Sequence, residues 1–191
     1  MMSRLYRRWI TMPFQSLKNL FFIADVRKYA RYAARHDERI LCKPAQRSRL
    51  IIWRINHGCD QNWLEVKEPL SAARALGYRN ILCAQNPRND ASITTAAREN
   101  GISSYFTDIV VLKAVRMKDL YGIIKKYNAV MRQSYVVSDE EDGEAIAMGN
   151  FFGMPTIAVG AAARNAQSGH FAPSVALERF ADITGVLKKI F

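Results

Sequence analysis

A parallel β-sheet covered by helices on both faces (an α/β, three-layer arrangement) is the architecture that residues 49–191 predict, and three observations carry it. Short apolar runs rich in β-branched residues recur five times, helix-patterned segments separate them, and the runs are continuous rather than alternating, as strands buried on both faces must be. In chain order the runs are Leu50 to Ile55, Asn80 to Ala84, Asp108 to Leu112, Tyr135 to Ser138 and Thr156 to Val159. Apolar residues at helical spacing predict helices near Glu68 to Leu76, Ala91 to Asn100, Lys118 to Tyr127 and Glu144 to Asn150. Gly77 and Gly101 stand where the first two should end, in the left-handed conformation that glycine adopts without steric cost. A last helix is expected over Ser174 to Lys189, with Val175, Leu177, Phe180, Ala181, Ile183, Leu187 and Ile190 as its apolar side. Ligands of such sheets sit beyond the carboxyl ends of the strands, so the residues that close each run are the ones to weigh for chemistry.

With 191 residues, 49% of them apolar, the chain can close one substantial core and is short for two. Its net charge of +11 is unevenly placed. Residues 1–49 hold 12 Lys/Arg against 3 Asp/Glu, and residues 50–191 hold 16 against 14. A basic N-terminal arm with an amphipathic helix, residues 1–48, is therefore expected ahead of a nearly neutral domain, residues 49–191. The cations of the arm are Arg4, Arg7, Arg8, Lys18, Arg27, Lys28, Arg31, Arg35, Arg39, Lys43, Arg47 and Arg49. Arg27, Arg31 and Arg35 fall on one i, i+4 row, where like charges repel by a few tenths of a kcal/mol per pair, about 0.2–0.5. Such a row calls for anions beside it: phosphate, acidic lipid or carboxylates. Pro44 breaks any continuing helix, and residues 37–48 read as a linker.

The first residues are Arg-rich, free of acids until Asp25 and interleaved with large apolar groups, the pattern of an organellar transit segment. The expected address is mitochondrial, in the matrix or on the matrix face of the inner membrane. The apolar run Leu20-Phe-Phe-Ile-Ala24 is far below the roughly 20 residues of a transmembrane helix. Cys42, Cys59 and Cys83 are odd in number and widely spaced, which fits a reducing compartment rather than a disulfide framework. His57 and Cys59 sit two apart, but His36 and His170 lie far off without ligand spacing, so neither a metal nor a cofactor is expected.

The motif-like stretches are Ser134-Tyr-Val-Val-Ser-Asp139-Glu-Glu-Asp142 and Gly149-Asn-Phe-Phe-Gly153-Met-Pro-Thr-Ile-Ala-Val159. Over roughly residues 50–160 the chain resembles the haloacid-dehalogenase (HAD) superfamily, most of all its small, uncapped phosphatases. That resemblance implies a magnesium-dependent phosphatase with an aspartate nucleophile closing the first strand and a second aspartate two residues on. Arg54 and Asn56 stand at those positions. A guanidinium is permanently protonated and cannot attack phosphorus, and an amide has no acid proton to give a leaving group. Ala84 or Gln85 stands where the second motif's hydroxyl would hold phosphate, Lys118 falls at the third-motif lysine, and Asp139 at a metal-binding acid of the fourth, with Asp142 or Glu144 as the second. At about 4 Å and an effective dielectric near 20, replacing a carboxylate by a cation turns an attraction of roughly 4 kcal/mol into a repulsion, so magnesium should not bind. Arg54 is expected to take the metal's place and pair with Asp139; the rival is an anion pocket built from Arg54 and Lys118.

The function expected from these substitutions is a non-catalytic HAD-like protein serving as a structural subunit of a large assembly, with other protein subunits as partners and no small-molecule substrate. Arginines interleaved with Tyr and Trp suit RNA, which makes a mitochondrial ribosome the best-fitting host, the arm lying on rRNA. An anionic membrane surface, or a place as accessory subunit of a respiratory or ATP synthase complex, is the alternative. Two further readings are a phosphatase using Asp60 or Asp139 as an unconventional nucleophile, and a ligand-sensing pseudoenzyme relying on Lys118.

Overall fold

The computed structural model describes residues 47–55, 61–86, 92–166 and 168–189. These lie in one compact unit, Lys43–Phe191. The basic arm through Gln46, the stretch from Asn56 to Asp60 that includes His57 and Cys59, and residues 87–91 fall outside the described residues.

Six parallel strands form one sheet: β1 (Arg49–Arg54), β2 (Tyr78–Gln85), β3 (Asp108–Leu112), β4 (Tyr135–Ser138), β5 (Thr156–Val159) and β6 (Val175–Leu177), in the order β3-β2-β1-β4-β5-β6. The helices are α1 (Gln61–Ala75), α2 (Ser92–Glu99), α3 (Met117–Lys126), α4 (Glu144–Phe151), α5 (Ala161–Arg164) and α6 (Ile183–Lys189). All five strands expected from sequence are present, and the three from Asp108 onward have the expected ends.

The strands are apolar on both sides because both sides are covered. Ile51 and Trp53 of β1, and Ile55 just after it, join Leu82, Val137 and Ile157 in a core closed by Trp63, Val66 and Leu70 of α1 and by Ile183 and Leu187 of α6. On the other face Ile146 of α4 packs with Ala158 of β5, and Tyr121 of α3 stacks on Phe152, the residue that caps α4, with ring centroids 6.2 Å apart. The helix ends obey the glycine rule. Gly101 has φ +66°, donates its N–H to Arg98 O, and is followed by Ile102, whose N–H returns to Ala97 O, a complete Schellman closure of α2. Gly77 (φ +80°) ends α1 with an N–H on Arg74 O.

Two expectations need correction. Helix α1 starts at Gln61, not near Glu68, and carries Pro69 in its interior. An interior proline costs about 3 kcal/mol by removing a hydrogen bond, but Trp63, Val66, Leu70 and Ala73 recur on one buried stripe, and that burial holds the helix through the break. The segment Ser174 to Lys189 is not one helix. Val175–Leu177 pairs in register with Ile157–Val159 as β6, a 3-10 turn follows at Phe180–Asp182, and only Ile183–Lys189 is α-helical. Parallel pairing satisfies backbone groups of β5 that would otherwise form a buried edge, and this outweighs a helical pattern that spans few turns.

A buried polar clamp ties the core together. Trp53 Nε1 donates to Asn80 Oδ1 at 3.1 Å, and Asn80 Nδ2 donates to the carbonyls of Leu70 (3.0 Å) and Tyr105 (3.2 Å). Asn80→Leu strands one donor and two acceptors, and a loss of about 2 kcal/mol is expected, to be read from the urea midpoint at an unchanged slope.

Candidate functional site

The strand order reverses between β1 and β4, and the residues that close these strands meet at the carboxyl edge of the sheet. Arg54 is the last residue of β1 and is 4% exposed. Its Nη2 lies 2.7 Å and its Nε 3.2 Å from Glu140 Oε2, and Nη1 donates to the Cys83 carbonyl at 3.2 Å. All three guanidinium nitrogens are engaged.

The acid that meets Arg54 is Glu140, not Asp139. The reason is parity. Arg54 is in register with Ser138, so their side chains share a face of the sheet, and along an extended chain the same face recurs two residues on, at Glu140. Asp139, buried like Arg54, still belongs to the ladder through its N–H, which donates to the Arg54 carbonyl at 3.3 Å. Ser138 Oγ accepts the Glu140 N–H at 3.1 Å and fixes the turn that lays Glu140 across the strand ends.

Burial dominates the electrostatics here. It pushes the Glu140 carboxyl above the usual carboxylate range, and the Arg54 guanidinium recovers only part of that rise; Asp142 and Asp139 add to it. Burial likewise pushes the Cys83 thiol up to about 11, with Arg54 opposing, so Cys83 is a protonated packing group and not a nucleophile. The Arg54 guanidinium is paired with Glu140, and among the described residues no group of three or more His, Cys, Asp or Glu could hold a metal ion.

The other positions singled out in the sequence are scattered. Lys118 is exposed in the first turn of α3, whereas Arg54 is buried and spends three of its five N–H donors on Glu140 and the Cys83 carbonyl. Ala84 is buried, while Gln85 is exposed and accepts the Val115 N–H at 3.5 Å. Asn86 Nδ2 reaches Ser92 Oγ at 3.3 Å. Asn56 and Asp60 lie outside the described residues. Of the twelve cations assigned to the arm, the structure describes Arg47, which is exposed, and Arg49. Arg49 is not a free binding residue: its Nη2 donates to Leu76 O at 2.7 Å and its guanidinium sits 5.0 Å from the Tyr78 ring centre.

The Gly149-to-Val159 motif has a structural explanation. Gly153 (φ +67°) donates to Asn150 O and Met154 to Gly149 O, closing α4 as a Schellman motif. Asn150 Nδ2 donates to the carbonyls of His170 and Ala172, both at 2.8 Å, and its Oδ1 accepts the Thr156 hydroxyl at 2.9 Å. A Cβ on Gly149 would meet Thr156 Cγ2 at 2.6 Å and Val136 Cγ2 at 2.9 Å, so glycine sets how closely α4 approaches the sheet.

No protein-family model and no curated protein matches the chain. Solved structures do. The core domain of a protein assigned as a phosphoglycolate phosphatase from Streptococcus pneumoniae TIGR4 superposes with a TM-score of 0.53 at 17% identity, over 74% of this chain and 96% of that one. The L-2-haloacid dehalogenase RSc1362 superposes with a TM-score of 0.50 at 17% identity, over 63% of this chain; the present chain spans 54% of that dehalogenase. At such identities the likeness is one of fold. The parallel six-stranded sheet, its reversal of order at β1 and these superpositions together give the chain a HAD-like fold.

Proposed function

We propose that this chain is a non-catalytic HAD-like protein that serves as a structural subunit of a large mitochondrial assembly, a ribosome first among the hosts, with the basic N-terminal residues on rRNA. The observation that carries the non-catalytic reading is the pairing of the buried Arg54 guanidinium with the half-buried Glu140. It puts a group that can neither attack phosphorus nor accept a proton at the end of β1, and fills the adjoining space with the acid that neutralises it. The motif residues that match the family, Gly149, Asn150, Gly153 and Thr156, are accounted for by helix closure and helix-to-sheet packing. The assembly reading is supported by the 12-to-3 excess of basic residues in positions 1–49 and their interleaved aromatic residues.

Two measurements test this. The purified chain with Mg²⁺ and an aryl phosphate is expected to turn over no faster than buffer; turnover abolished by Asp139→Asn would overturn the non-catalytic reading. A tagged chain recovered from mitochondria is expected to bring ribosomal proteins and rRNA with it, in a fraction that disperses at high salt. Recovery with respiratory or ATP synthase subunits instead would transfer the chain to that host and leave the first result untouched.

A further inference from the structure

Charge within the domain is concentrated on one helix. Residues 113–133 hold six Lys/Arg against one acid, whereas the remainder of residues 50–191 holds ten against thirteen. The segment is α3 with its flanks. Lys113 and Arg116 precede the helix, Lys118 and Lys125 stand on it, and Arg132 follows it; all five are exposed and, among the described residues, none takes part in an ion pair. The acids of this neighbourhood are already committed. Asp119 Oδ2 accepts the Arg116 N–H at 2.9 Å and closes the first turn of α3, and Asp108 Oδ2 takes Lys126 Nζ at 2.6 Å and the Tyr127 hydroxyl at 2.8 Å.

At about 100° per residue, Lys118, Tyr121, Gly122 and Lys125 fall on one outward stripe, with the two lysines roughly 10 Å apart along the axis. Gly122 is exposed in mid-helix, and a Cβ there would meet nothing within 4 Å. Glycine weakens a helix interior relative to alanine, and no packing within the domain asks for it here. What it provides is bare helix backbone between two lysines, open to close approach. Beside the stripe, Tyr121 stacks on Phe152 with an interplanar angle of 21°, and Phe151 meets Phe152 edge-on at 5.2 Å; all three rings are half-buried.

Cations over two turns, an open backbone and an aromatic platform fit a polyphosphate strand that carries bases better than a carboxylate surface, which has no ring to stack. We propose that the outward face of α3 is a second RNA-binding surface, taking a single-stranded segment with phosphates on Lys118 and Lys125. The proposal rests on the RNA-associated reading above and places part of the contact on the folded domain.

The test uses the full chain and a fluorescein-labelled polyuridine RNA of about 20 nucleotides, read by anisotropy between roughly 50 and 200 mM salt. Lys118→Gln with Lys125→Gln is expected to bind about ten-fold more weakly at the lower salt, and to flatten the slope of log K against log salt by roughly 1.4. Gly122→Glu is expected to weaken binding about as much while melting at or above the unaltered chain, since glutamate is the better helix former and its Cβ has room. Unchanged affinity and slope in both variants, with binding lost in an Arg27→Gln, Arg31→Gln, Arg35→Gln chain, would overturn the α3 face and leave the RNA reading standing. No binding by the unaltered chain at either salt would overturn both. Competition by polyglutamate equal to that by unlabelled RNA would overturn the choice of RNA and point to an acidic protein.

Discussion

Arg54→Met is expected to destabilise the fold by about 3 kcal/mol at neutral pH, the lower end of the cost of leaving one member of a buried ion pair uncompensated, because Glu140 is half-buried. Glu140 Oε2 would lose two charge-assisted hydrogen bonds, at 2.7 and 3.2 Å, in a place where burial already outweighs the attraction of its partner. The pH dependence has a definite sign. A carboxyl held above its unfolded value binds more protons in the folded state, so its contribution is fully present below about 4.5, the unfolded value, and is lost as pH rises through the folded one. Removing Arg54 removes the chief influence lowering the Glu140 value, so the deficit of the variant should grow from acid toward neutral pH. Pairing Arg54→Met with Glu140→Leu should return most of the stability, because two apolar groups of similar volume leave no buried charge. Urea unfolding of the four proteins at two pH values checks both statements through the coupling energy. A deficit independent of pH, or a double variant no better than the single, would show that Arg54 matters by packing alone.

Gly149→Val is expected to cost about 3 kcal/mol or more, and Gly149→Ala about 1–3. A side-chain carbon there lands 2.6 Å from a methyl of Thr156 and 2.9 Å from one of Val136, and both neighbours are fully or almost fully buried, so the helix itself must move off the sheet. That displacement reaches Asn150, whose amide spans from Thr156 to the carbonyls of His170 and Ala172. Thermal unfolding should show a midpoint lower by roughly 4–12 °C for alanine, and amide exchange should quicken in α4 and β5 together. A valine variant as stable as the parent would show that α4 is not seated against β4 and β5 as described.

Much of the layered fold was legible because a parallel sheet writes its burial into the sequence: Leu50 to Trp53 and Tyr135 to Val137 are apolar without alternation, and each is buried on both sides. The glycine closures were legible for a local reason, since a left-handed residue at a helix end needs no knowledge of distant contacts. What failed was long-range. Val175–Leu177 opens the helical pattern read over Ser174 to Lys189 and becomes a strand because β5 offers it a partner, and the helix expected near Glu68 extends back to Gln61 on the buried stripe of Trp63, Val66 and Leu70. Position in a motif suggested Asp139 as the partner of Arg54, whereas register chose Glu140.

By itself the sequence determined that a parallel sheet lies beneath helices, and that a guanidinium closes its first strand. Both follow from side-chain chemistry and local periodicity. Only the tertiary structure decided which acid faces that guanidinium, because facing depends on register between β1 and β4, residues 84 apart where Arg54 meets Ser138. It also decided that the lysines of α3 flank an open glycine on one outward stripe, since exposure exists only once the other side of the helix has been buried.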